Sequence, residues 1–199
     1  MSDAEARPLD DTKPCVGCGL CCDGTLFVRA AVTPGEEDRL IEYGLKLIKF
    51  EGKTHFLEPC PHQSCGRCMV YNERFDICRT FRCALLRRYQ SGEIDLREAR
   101  AKVEGALKLV AEIKSEQPKA GLYAERIRLH RELAQQVRSL NQSERAPTAR
   151  RLLKLAALDF YLDQWFRNKK DQVETERDAS GSNSRRKTPT DKVQISPDR

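Results

Sequence analysis

Apolar positions recur at helical spacing through the second half of the chain and at short, irregular spacing through the first. The series Leu96, Ala99, Val103, Ala106/Leu107, Val110 and Ile113 keeps one face of a 3.6-residue period apolar. Asp95, with Glu98 three residues later, forms the capping box that starts this helix, and Pro118 ends it. Leu122, Arg126, Leu129, Leu133, Val137 and Leu140 mark a second stripe. Asn141 to Pro147 reads as a turn, and Leu152, Leu155/Ala156, Asp159, Leu162 and Trp165/Phe166 mark a third. Three amphipathic helices of this length can bury their stripes against one another or against the first half. The pattern leaves both arrangements open.

In the first half, Thr33-Pro34-Gly35-Glu36 reads as a helix start, with Thr33 as N-cap, Pro34 at the first helical position and Glu36 closing a capping box. That short helix runs to about Tyr43 and stops at Gly44. Leu45, Leu47 and Ile48/Phe50, mixed with Lys46 and Lys49, and Thr54–Leu57, joined through Glu51-Gly52-Lys53, predict a hairpin with a glycine-bearing turn. Met69-Val70-Tyr71 predicts another short strand. A further helix is predicted from about Thr80 to Gln90, ended by Ser91-Gly92. From residue 171 on, Ser, Thr, Pro, Asn and charge dominate, and such a tail buries too little apolar area to offset its ordering entropy. The expected fold is α+β. A flexible lead over 1–14 precedes a cysteine-rich unit over 15–92 with a short helix and hairpin. A helical region of three amphipathic helices follows over 93–170, then a disordered polar tail over 171–199.

Composition sharpens the first half. All nine cysteines fall between Cys15 and Cys83, nine in 69 positions, a density usual in disulfide scaffolds or metal domains. The acidic start, with Asp3, Glu5, Asp10 and Asp11 and no apolar stretch, does not read as a secretory signal. The expected compartment is therefore the reducing cytoplasm, where dense cysteine means metal binding. No apolar run approaches the ~20 residues that span a bilayer, so no membrane role is expected. The net charge is +6, and residues 84–170 carry 19 Lys and Arg against 11 Asp and Glu. A modest excess spread along helices reads as a solvated surface rather than a nucleic-acid footprint.

The chemistry lies in three cysteine clusters. The first is Cys15-Val-Gly-Cys18-Gly-Leu-Cys21-Cys22. Two intervening residues let a tight turn bring consecutive sulfurs within the ~2.3 Å reach of one ion. Gly17 and Gly19 give the backbone the freedom to wrap the site, and amide N–H groups there can donate to thiolates. Cys-x2-Cys-x2-Cys with a remote fourth cysteine is the spacing of iron–sulfur loops. Adjacent side chains diverge, so Cys21 and Cys22 do not both serve one site: one serves the first, the other a second site or none. The second cluster is Cys60, Cys65 and Cys68; the third is Cys78 and Cys83. On one regular helix an i,i+5 pair stands about 140° apart. Either Cys78 precedes the helix, which is the preferred reading, or the pair serves different metals. Arg67, Arg74, Arg79 and Arg82 lie between these cysteines and can offset thiolate charge. His62 is the one histidine inside a cluster and reads as a solvated loop residue.

These residues resemble the cysteine-cluster family named for its CxxCxxCC motif, zinc- or iron-chelating proteins in a broad group that includes flagellin lysine N-methylases. The motif stands at Cys15, Cys18, Cys21 and Cys22. The family's later pattern stands as Cys60-Pro61, Cys68-Met69-Val70-Tyr71 and Arg74-Phe75-Asp76-Ile77-Cys78-Arg79-Thr80-Phe81-Arg82-Cys83. Thr33 to Asp38 matches the family's short helix. The likeness spans about residues 15–90, with Phe75 and Arg82 where prolines are usual and Cys65 additional to the usual eight.

Soft sulfur donors suit zinc or iron–sulfur, not magnesium or calcium. Eight thiolates fit one cluster plus one zinc, or two of either kind. The expected function is a cytoplasmic metal-binding protein whose thiolates hold an iron–sulfur cluster, or else Zn2+, in a structural or redox role. The helical region is then free to contact a protein partner. One alternative is a cluster-dependent protein-modifying enzyme of the lysine N-methylase kind. Another is a zinc-stabilised nucleic-acid or protein adaptor, for which Arg126, Arg128 and Arg131 form the basic group.

Overall fold

The computed structural model describes residues 13–137 and 139–168. Nearly all of the expected lead over 1–14, and the whole of the expected tail over 171–199, lie outside them.

Glu51 and Gly52 both take positive φ, 49° and 76°, the backbone of a two-residue turn whose twist suits antiparallel strands. The turn joins β2 (Leu47–Phe50) to β3 (Lys53–Leu57), the expected hairpin. Strand β1 (Arg29–Ala31), which the sequence pattern did not suggest, pairs with the other edge of β3, giving the antiparallel order β1-β3-β2. Between β1 and β2 lies α1 (Glu37–Glu42), ended as expected by Tyr43 and by Gly44 at φ 73°. Its start differs from the capping-box reading. Gly35 has φ 95°, outside the helical region, so Thr33-Pro34-Gly35-Glu36 forms a turn before the helix. Thr33 Oγ1 instead donates to Asp76 Oδ2 at 3.2 Å, and the Glu36 carboxylate accepts the Asp76 N–H at 3.1 Å. The segment thus caps α2 (Asp76–Thr80) rather than its own helix.

A second hairpin pairs β4 (Gln63–Ser64) with β5 (Arg67–Cys68) through Cys65 and Gly66, again both at positive φ, 48° and 75°. The strand expected over Met69–Tyr71 is absent. The Arg74 guanidinium stacks on the Tyr71 ring at 3.8 Å and donates to the Tyr71 carbonyl at 3.0 Å, beside a 3₁₀ turn over Tyr71–Glu73. The helix expected from Thr80 begins later, as α3 (Ala84–Gln90). Phe81 is extended and sets its ring edge-on to Phe27 at 5.4 Å, which parts α2 from α3.

The helical half follows its stripes. Asp95 caps α4 (Leu96–Glu116) by accepting the Glu98 N–H at 2.7 Å, as the capping box requires. A 3₁₀ turn over Pro118–Gly121 leads into α5 (Tyr123–Gln136), and α6 (Gln142–Trp165) closes the described chain. The turn expected over Asn141–Pro147 is the first part of α6. Asn141 is its N-cap, accepting the Glu144 N–H at 3.1 Å, and Pro147 stands exposed inside the helix, where it leaves one backbone bond unmade.

Both packing alternatives hold at once. One apolar cluster joins the buried stripes of α4, α5 and α6 to Leu20 and Leu26 of the first cysteine segment and to Leu85 of α3. Leu20 and Leu26 are fully buried, each contributing about 1.5–3 kcal/mol of transfer free energy. A smaller cluster of Leu40, Leu45, Phe56 and Phe75 lies under the sheet and α1. No helix among the described residues is long and apolar enough to cross a membrane.

Two buried arginines pin the first cysteine segment to the helices. Arg126 of α5, fully buried, pairs with Asp159 of α6 at 3.0 Å and donates to the carbonyls of Gly121 at 2.6 Å and Thr25 at 2.8 Å. Arg167, 3% exposed, bonds Asp159 at 3.2 Å and Asp163 at 2.7 Å and reaches the Leu26 carbonyl at 3.4 Å.

Candidate metal centre

The first cysteine segment is a run of tight turns. The Cys18 N–H bonds the Cys15 carbonyl at 3.2 Å, and the N–H groups of Cys22 and Asp23 both bond the Gly19 carbonyl, at 2.9 and 3.0 Å. Cys60 then donates its N–H to the Cys22 carbonyl at 2.8 Å, which stitches the second cluster to the first. The tip of the β4–β5 hairpin also closes on this segment. A Cβ at Gly19 would stand 2.7 Å from the Gly66 Cα, and one at Gly66 would overlap the Gly17 carbonyl oxygen. Gly66→Ala is therefore expected to lower stability by more than the ~1–2 kcal/mol of its left-handed backbone alone, read as a shift in denaturation midpoint. A loss under about 1 kcal/mol would contradict this contact.

All nine cysteines are free thiols. Backbone N–H groups face several of the sulfurs, from Leu20 to Cys18, from His62 to Cys60 and from Leu86 to Cys83, the last at 3.4 Å. Such donors stabilise thiolate charge.

Mutual electrostatics sort the thiols into two sets. Cys15, Cys18 and Cys21 each feel Cys83, and they feel one another. Cys22 feels Cys78, Cys60 and Cys68; Cys78 feels Cys60 and Cys68; Cys60 feels Cys68. The sets are Cys15, Cys18, Cys21 and Cys83, and Cys22, Cys60, Cys68 and Cys78. Adjacent Cys21 and Cys22 diverge, one into each, and are close enough to feel each other. Cys78 does precede α3, as expected, but within a short helix of its own, α2; Cys83 is the N-cap of α3, and the two thiols fall in different sets. Cys65 sits exposed at the hairpin tip, with the Ser64 hydroxyl 3.9 Å from its sulfur, and joins neither set.

Burial is the main force on these thiols. It pushes Cys15 up to about 11, helped by Cys83 and opposed by Arg82, Arg74 and Lys13. It pushes Cys18 and Cys78 up to about 12, and it raises Cys21 and Cys22 strongly as well. Of the four arginines between the cysteines, Arg74 favours the thiolate in both sets and Arg82 in the first. Arg79 instead donates to the carbonyls of Arg74 at 2.6 Å and Asn72 at 3.2 Å. The His62 ring donates to the Tyr43 carbonyl at 2.7 Å, so the imidazole is partly buried and hydrogen-bonded rather than solvated. The expected basic group of α5 is dispersed: Arg126 is buried, and Arg128 lies between Glu125 and Glu132.

One residue of the site escaped the sequence reading. Glu58, at the end of β3, buries its Oε2 with no hydrogen-bond partner. Burial pushes its carboxyl up to about 8, against the Cys60 N–H and with help from Asp23. It acts on Cys22, Cys60 and Cys78. Nothing in its local sequence distinguishes it from a surface glutamate, because its burial comes from the packing of β3 against the first segment.

Among the described residues no group of three or more His, Cys, Asp or Glu side chains is drawn together tightly enough to hold a metal ion as it stands. Holding one requires the thiols to close in on it. In donor type and number the two sets fit a soft, four-coordinate metal or an iron–sulfur cluster. No family model matches the chain, and neither does any curated protein or solved structure.

The raised thiols set the expected pH response. A bound thiol is deprotonated, so metal uptake by one set at neutral pH releases about four protons, and affinity falls as pH drops. The metal-free chain has the opposite sign. Its folded thiols titrate above the ordinary 9.0, at about 11 for Cys15 and about 12 for Cys18, so its stability falls as pH rises past 9. A weakly buffered indicator titration checks the first expectation, and melting of the metal-free chain between pH 8 and 10.5 checks the second. Release of fewer than about two protons per ion would contradict four-thiolate binding.

Proposed function

We propose that the chain is a metal-binding protein of the CxxCxxCC kind, carrying two separate four-thiolate centres. What supports this most directly is the division of eight of nine cysteines into two groups of four, drawn from loops far apart in sequence, with Cys65 left out. The first set, Cys15, Cys18 and Cys21 with remote Cys83, has the order of an iron–sulfur loop, and an iron–sulfur cluster is its preferred occupant over zinc. The role is structural or redox, in a reducing compartment such as the cytoplasm. Leu20, Leu26 and Cys83 lie in the apolar cluster of the helices, so a change of metal state at the first set is felt directly by α4 to α6. A protein partner of the helical region would cover Leu153 and Phe160, 69% and 72% exposed on α6. The test is anaerobic purification followed by metal analysis, visible absorption and electron paramagnetic resonance. The expected result is bound metal, with thiolate-to-iron absorbance from the first set. A folded, colourless chain free of metal would overturn the reading.

A further inference from the structure

A carboxylate acts on three thiols of the second set, Cys22, Cys60 and Cys78. Glu58 lies two residues before Cys60 and immediately after the last residue of β3, and its main-chain N–H is fixed to the Val28 carbonyl at 2.9 Å. The same stretch packs on the first segment: a Cβ at Gly24 would stand 3.7 Å from the Glu58 carbonyl carbon and 3.5 Å from the Pro59 nitrogen. The side-chain Oε2 is shut away from solvent without any hydrogen-bond partner. A buried carboxylate oxygen left unpaired costs several kcal/mol, and a protein retains such a group where something absent from the bare chain satisfies it.

What surrounds this oxygen identifies that partner. Among the charges acting on Cys22, Cys60 and Cys78, the Glu58 carboxylate comes first, ahead of every other thiol of the set. No Lys or Arg forms an ion pair with it among the described residues. A cation placed among these thiolates would meet the orphaned oxygen as well. We propose that Glu58 is a fifth donor of the second centre, giving its carboxylate oxygen to a divalent metal ion held by Cys22, Cys60, Cys68 and Cys78. This rests on the reading that the second set binds metal at all. It makes the two centres chemically unlike. The first is all sulfur. The second mixes a hard oxygen with soft sulfur and accommodates a five-coordinate ion that exchanges more readily.

Cadmium-113 is the probe, because its resonance moves far downfield in an all-thiolate shell and back upfield when oxygen enters. The full-length metal-free chain is loaded with two equivalents of ¹¹³Cd2+. The wild-type chain is expected to give one all-sulfur resonance and one displaced upfield. Glu58→Gln is expected to move the displaced resonance into the all-sulfur range and to weaken that site at least tenfold in chelator competition, leaving the first unchanged. The wild-type spectrum needs no variant: two all-sulfur resonances in it overturn the role of Glu58 while leaving two metal centres standing. So does a Glu58→Gln spectrum identical to a wild-type one with an upfield line. No bound cadmium in the wild-type chain overturns the metal reading itself, and this proposal with it.

Discussion

If the two thiol sets hold metal as proposed, Cys18→Ala is expected to remove one centre and leave the other standing, while Cys65→Ala removes neither. The reasoning starts from the sets. Cys18 shares its surroundings with Cys15, Cys21 and Cys83, and its sulfur is backed by the Leu20 N–H. Three thiolates hold a four-coordinate ion poorly, so the first set empties. Because structural metal binding is itself folding free energy, about 10–16 kcal/mol in small zinc peptides, the loss in stability is on the order of 5 kcal/mol or more. Cys83 lies in the apolar cluster with α4 to α6, so this loss extends beyond the cysteine segments. Cys78→Ala empties the second set instead. Cys65, exposed on its hairpin, changes stability by no more than about 0.5 kcal/mol on replacement. Pairing the variants separates the sets. Cys18→Ala with Cys83→Ala costs little more than either alone, since one centre cannot be lost twice, whereas Cys18→Ala with Cys78→Ala adds. Metal content per chain and thermal melting read both quantities. Equal metal loss in Cys65→Ala, or additivity within a set, would defeat the two-centre arrangement.

The first of these sets was half visible in the sequence, and the second was not. Cys-x2-Cys-x2-Cys is a local pattern, and turns at Gly17 and Gly19 are enough to gather its three sulfurs. The fourth thiol depends on where Cys83 falls relative to helix ends. Local propensity runs α2 and α3 together, because nothing in Thr80 to Ala84 breaks a helix; the break comes from the Phe81 ring packing on Phe27, a contact 54 residues away in sequence. Cys78 and Cys83 therefore fall on separate elements, a short helix and the cap of the next. The same limit hid Glu58, whose burial is a product of tertiary packing alone. Elements fixed by neighbouring residues fared better. Glu51-Gly52 specified its hairpin turn, and Asp95 with Glu98 specified the start of α4. Thr33 misled because its capping pattern contains Gly35, whose positive φ diverts the hydroxyl to Asp76. Arg126 and Asp159 carried a signal that composition obscured. Each is a charged residue standing on an otherwise apolar stripe, which is the mark of a buried pair rather than of a basic surface.

That pair carries the second large effect. Arg126→Ala is expected to destabilise the protein by about 3–5 kcal/mol, the usual cost of removing one partner from a buried ion pair. Arg126 is fully buried and uses all three of its nitrogens: Nη1 on the Gly121 carbonyl, Nη2 on the Thr25 carbonyl and Asp159, and Nε on Asp159. Truncation leaves two carbonyls short of a donor and opens a cavity the size of a guanidinium. Asp159 is not stranded, since Arg167 still reaches it at 3.2 Å. Asp159→Asn is expected to cost a comparable amount: Arg126 keeps its two carbonyls, but its buried charge loses its carboxylate partner, while Arg167 keeps Asp163 at 2.7 Å. Arg126→Leu combined with Asp159→Leu is expected to recover part of the single-variant loss, because apolar side chains of similar volume remove the desolvation cost of both charges. Recovery stays incomplete for a specific reason. The Thr25 carbonyl belongs to the turn that follows Cys21 and Cys22, and no leucine can hold it. Denaturant unfolding at one fixed metal concentration, with equal slopes across the variants, gives the cycle. A loss below about 1 kcal/mol in Arg126→Ala would mean that the cysteine segment is held to the helices by apolar packing at Leu20 and Leu26 alone.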